Sequence, residues 1–173
     1  MADATLNIED LRPKVRPALQ PSATMAAFSE LLVALAALIE AERDLEHFDR
    51  WGQTGNGWLR DAERAFTRVT RLITRIRSRV ALLPSDLALQ RVALLIDRMI
   101  GSEEPGSFGR IHAQLHRYDA LFACRGSGPM VRRVNALLGD ARRRIDELAT
   151  LATFIDAPFV DDRPLAGPDP HLV

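Results

Sequence analysis

Four histidines, one cysteine and 23 carboxylate side chains are the groups in this chain able to hold a metal or move a proton. The tightest grouping is His112, His116 and Asp119, spaced i, i+4, i+7. On a helix that spacing puts all three on one side, and two histidines four residues apart can hold one cation. Upstream, Glu42, Glu46 and Asp49 repeat the same period, interleaved with Leu45. They continue the face of Phe28, Leu31, Leu32, Leu35, Leu38 and Ile39, so acids stand where an apolar seam has just run. An isolated carboxylate in a seam is too costly to leave unpartnered. The chemistry on offer is a cation or small-ligand site, with Glu42, Glu46, His112, His116 and Asp119 around one cavity and one or two divalent metal ions as cofactor.

The spacing also argues against this site. Carboxylate-bridged di-metal bundles place Glu-x-x-His on two helices, and neither segment has it. The nearest approach, Asp44-x-x-His47, faces away from the seam. His112 and His116 sit at the margin of a stripe made by Phe108, Ile111, Leu115, Tyr118 and Phe122, where a histidine commonly just hydrogen-bonds. The competing reading has no cofactor: a polar layer at the end of a bundle, its acids paired to Arg43, Arg50 or Arg117.

A second grouping is a ridge of arginines. Arg60, Arg64, Arg68, Arg71, Arg75 and Arg79 fall within about 100° of one another at roughly 100° per residue, on the side opposite the apolar stripe. Residues 50–79 hold eight arginines against Asp61 and Glu63, whereas residues 1–49 hold four basic and nine acidic side chains. The ridge can dock an acidic partner or follow a phosphate backbone. Side chains that read base edges are missing from it, so nucleic-acid binding, if any, is nonspecific. Lys14 is the only lysine. That bias fits a GC-rich bacterial genome and discounts any arginine cluster.

Two weaker candidates complete the set. The loop 51–58, with glycines at 52, 55 and 57 between two tryptophans, resembles an anion cradle but lacks the Gly-Lys-Ser/Thr ending and a preceding strand. Turn formation and end-covering by the tryptophans explain it as well. Cys124 beside Arg125 lies about 12–18 Å along the helix from the histidines, too far for a nucleophile–base pair.

The elements that position these groups follow from periodicity. Segments 25–49, 58–83, 86–100, 107–124 and 129–155 read as helices. Leu59, Ala62, Phe66, Val69, Ile73, Ile76, Val80 and Leu83 alternate steps of three and four, and so do Val131, Val134, Leu138, Ala141, Ile145, Leu148, Ala152 and Ile155. Segment 86–100 is apolar on most sides, which places it at the bundle centre or under a second subunit. Ser22 or Thr24 caps the first helix, Ser85 the third, and Pro129 opens the fifth. Prolines at 13, 17 and 21 and at 158, 164, 168 and 170 forbid regular helix at either end.

Composition bounds the remainder. A chain of 173 residues, 47% hydrophobic and without net charge, is enough for one domain with its own core. A single cysteine excludes a disulfide framework and a Cys-only metal site. No apolar run reaches the roughly 18 residues of a membrane span, and the start lacks the pattern of a secretory signal. The expectation is an all-α, up-and-down bundle of four to five helices over 24–156, with irregular arms at 1–23 and 157–173. It is a cytoplasmic, non-catalytic protein working through protein contact, with a homo-oligomer as the natural partner.

Overall fold

The computed structural model describes residues 21–51 and 56–155. The protein is an all-α bundle, with five helices among the described residues: α1 (Ala23–Trp51), α2 (Asn56–Arg77), α3 (Pro84–Gly101), α4 (Ser107–Arg117) and α5 (Pro129–Leu148), and a 3-10 turn at Asp119–Leu121. Among the described residues there is no strand. Both expected arms lie almost entirely outside the described residues, as do positions 52–55 of the tryptophan-flanked loop.

The apolar stripes are buried over most of their length, although Leu59 and Phe66 of α2 stay exposed. Phe28, Leu31, Leu35, Leu38 and Ile39 of α1 are fully buried with Val69, Ile73 and Ile76 of α2 and Val134, Leu138, Ala141, Ile145 and Leu148 of α5. α1 lies along α2 for most of its length and also touches α3 and α5. α3 touches all four other helices, which makes it the hub expected from its apolar circumference. The starts of α1 and α3 are tied together. Ser22 caps α1 by accepting the Met25 N–H at 3.0 Å and donates its hydroxyl to Asp86 at 2.6 Å. Asp86 in turn accepts the Leu83 N–H, so the third helix is capped by Asp86 rather than Ser85.

Three helices are shorter than their periodicity. α2 stops at Arg77 instead of Leu83. Gln90 of α3 donates to the carbonyls of Ile76 and Arg79 at 3.0 and 2.7 Å, closing the helix end, and Leu83 must be extended ahead of Pro84. Val80 is left 80% exposed. α4 stops at Arg117 instead of Cys124. Asn135 of α5 holds both the N–H and the carbonyl of Cys124, at 2.8 and 3.0 Å, and Arg142 takes the Asp119 carbonyl, so these backbone groups are committed outside a helix. α5 ends at Leu148, and residues 149–155 form turns in which Ile155 is exposed.

Among the described residues one helix, α1, is long and apolar enough to cross a membrane by length and composition: an 18-residue window reaches a mean hydropathy of 1.7. This corrects the expectation that no apolar run has that length, because Glu30 and Glu40 interrupt the run without outweighing its apolar residues. Half of that window is buried inside the bundle.

Replacing Ile73 by alanine should cost about 2–5 kcal/mol, because it empties a filled site. Val80→Ala, on the same sequence stripe but outside the helix, should change stability by less than about 0.5 kcal/mol. Urea denaturation of the two variants measures the contrast.

Candidate functional site

α4 buries Phe108 and Leu115 and half-buries Ile111. This fixes its rotation and leaves His112 and His116, one turn apart, at the edge of the buried stripe. α5 buries Ile145 and Leu148, which puts Asp146 at the corresponding edge. The two edges meet. His112 Nε2 lies 2.8 Å and His116 Nε2 2.9 Å from the same Asp146 oxygen, Oδ1. The two ring nitrogens are 3.1 Å apart, with the rings edge-to-face at 4.6 Å between centroids. His112 is half-buried beside the Phe108 ring, whereas His116 is exposed. Partial burial pushes the Asp146 carboxyl up, but hydrogen bonds from His112 and His116, together with their charge, outweigh it and hold the group below its ordinary value. An anionic oxygen flanked by two imidazole nitrogens can hold a proton or a cation.

The sequence-derived set is divided by the fold. His112 and His116 come together, but their carboxylate is Asp146 rather than Asp119, Glu42 or Glu46. Asp119 falls beyond the end of α4 and pairs with Arg142. Glu42 accepts the Thr153 hydroxyl at 2.7 Å, and Glu46 accepts the Ala152 N–H. These two acids hold the turn after α5 against α1. Glu42 borders a cavity of about 200 Å3 that it shares with Phe66, Met99, Phe108 and Phe154, and neither histidine lines it. Of the arginines expected to neutralise the seam, Arg117 lies over the Tyr118 ring instead, and the Arg50 side chain, like that of Asp49, falls outside the described residues. His47 donates Nδ1–H to the Arg43 carbonyl, its own helix. Cys124 is buried, beside Arg91 and Arg125 in a cleft of about 250 Å3.

The arginine ridge is real along α2. Arg60, Arg64, Arg68, Arg71 and Arg75 are all exposed. Arg79 leaves it, because α2 has already ended. Its Nε is shielded from solvent and has no hydrogen-bond partner among the described residues. Arg64 pairs with Asp61 within the helix, and Arg75 reaches Glu30 of α1 at 3.4 Å. That contact reveals a surface the sequence pattern did not single out. On α1, Ala26, Glu30, Val33, Ala37, Glu40 and Asp44 form an exposed line beside the ridge, and Val33 is 62% exposed.

Comparison of the chain with protein families, characterised proteins and solved structures finds no match to any of them.

The lowered Asp146 carboxyl fixes the sign of a pH effect. Its stabilisation is complete above the unfolded value of about 3.9 and is lost as the pH falls through the lower folded value. In chelator-treated protein, wild type should therefore lose its stability advantage over Asp146→Asn as the pH falls below about 3.9 and through the lower folded value. Urea denaturation across that range reads it; a constant difference would mean the ion pair contributes nothing.

Proposed function

We propose that this is a non-catalytic bundle protein that acts by contact, in a scaffold, adaptor or regulatory role, and that it self-associates through the outer faces of α1 and α2. The observation that carries the reading is the apolar helix α1, of whose most hydrophobic window the fold covers only half. Small residues Ala26 and Ala37 flank Val33 on its open side, low enough for another helix to approach.

The charge pattern selects the occupant. α1 and α2 run antiparallel, because Glu30 near the start of one meets Arg75 near the end of the other. Acids on α1 (Glu30, Glu40, Asp44) thus lie beside arginines on α2 (Arg60, Arg64, Arg68, Arg71, Arg75). A two-fold axis between them lays the acidic line of one copy on the basic line of the other, and the reverse, which is what an isologous interface requires. The face is about 40 Å long and two helices wide, near the roughly 800 Å2 per partner of a stable complex.

Glu30, Glu40 and Asp44 on that line speak against a lipid-facing surface. The neighbouring acids also weaken the ridge as a track for a phosphate backbone, leaving nonspecific nucleic-acid binding the poorer reading.

Light scattering should find a dimer whose dissociation constant rises by about tenfold or more in Arg68→Glu/Arg71→Glu. Adding Glu40→Arg and Asp44→Arg on the other copy should restore association between the two variants. A wild type that is monomeric at high concentration, or a dimer indifferent to the reversal, overturns the proposal. So does a monomer that sediments with anionic vesicles.

A further inference from the structure

We infer that His112, His116 and Asp146 form a binding site for one divalent transition-metal ion, of the zinc class, that clips α4 to α5. The three donor atoms, two imidazole nitrogens and one carboxylate oxygen, all lie within 4.8 Å of one another. Their separations are 2.8, 2.9 and 3.1 Å. Three ligands at about 2.1 Å from one tetrahedral zinc ion would stand about 3.4 Å apart. The triangle is within about half an ångström of that, a change that small side-chain rotations supply. Two histidines and a carboxylate, with the remaining position open to water, match the donor set of three-ligand zinc sites.

Without an ion, both Nε2–H groups donate to one Asp146 oxygen, which has a lone pair for each, while the two ring nitrogens are held 3.1 Å apart. One cation replaces both protons, which move to Nδ1 or to solvent, and satisfies all three donors at once. Donor type selects the ion. Imidazole favours zinc and its neighbours over magnesium or calcium, which take oxygen ligands. Exposure of His116 (55%) and Asp146 (47%) leaves the remaining position to water or to a small anionic ligand.

The clip has a structural consequence. α4 rests chiefly on α3, and α5 also rests on α3. Contact between α4 and the far end of the chain runs through this trio and through the Phe108 ring, 5.2 Å from that of Phe154. An ion held by both helices restrains the shortest helix of the bundle at its free side.

The test uses the full-length chain without a histidine tag, stripped with chelator and titrated with Zn2+ by calorimetry and with Co2+ by absorption. One ion per chain is expected, with a rise in melting temperature and no competition from Mg2+. His116→Ala and Asp146→Asn, both at exposed positions, should weaken Zn2+ binding by at least about 10- to 100-fold while circular dichroism stays unchanged. His47 and His171 remain in both variants, so they control for adventitious histidine binding. No stoichiometric Zn2+ binding, or binding that survives both substitutions at full strength, overturns the inference.

Discussion

Everything in this fold depends on hiding the apolar seam of α1. Phe28, Leu31, Leu35, Leu38 and Ile39 are each removed almost completely from water, at about 1.5–3 kcal/mol per side chain. No single neighbour can cover a helix with that much apolar surface, so α2 lies along it while α3 and α5 close the remaining sides. The rotation of α2 is then fixed by Val69, Ile73 and Ile76, and that rotation turns the arginines outward. The basic ridge and the acidic line beside it are consequences of the seam rather than independent designs. What the seam does not consume is the exposed side of α1 around Val33.

The second constraint is how helices end. A helix terminus leaves unsatisfied carbonyls or amides, and in this bundle polar side chains from other helices supply the partners. Gln90 closes α2, Asn135 and Arg142 fix the backbone after α4, and Glu42 and Glu46 hold the turn after α5. Most of the carboxylates that looked suited to a metal are therefore employed as backbone and hydroxyl acceptors. A carboxylate accepting a backbone N–H is satisfied without an ion, which is why the acids of the α1 seam need no cofactor to be tolerated there.

These two constraints explain what the sequence disclosed. Period and amphipathicity are local, so the helices, their buried stripes and the central role of α3 were legible from residue spacing alone. Helix ends are not local. The stripe of α2 runs on through Val80 and Leu83, yet Gln90 of the next helix, 14 residues beyond Ile76, closes the helix before them. The same applies to the histidine cluster. Spacing identified His112 and His116 as a pair on one face. It assigned them Asp119 by extending α4 about two turns too far, and Asp146 stood unremarked in a helix whose register against α4 no local pattern encodes. The signal that could have found it is its place beside Ile145, at the rim of a buried stripe, where a side chain reaches a neighbouring helix instead of the core.

The placement of that cluster on α4 also has a physical logic. At 11 residues α4 is shorter than the about 12–15 residues at which an isolated helix becomes even marginally stable in water. It begins after Gly106 in a left-handed conformation with no side-chain cap, and its buried side chains are few. Such a helix keeps its order only through contacts with its neighbours. Two histidines one turn apart, both directed at a single oxygen of α5, are a contact whose strength depends on what occupies the space between them: protons or one doubly charged ion. The element least able to fold alone is thus the one whose attachment is chemically adjustable. A longer, better-capped helix carrying the same pair would gain little from it, because its position would already be set by the core.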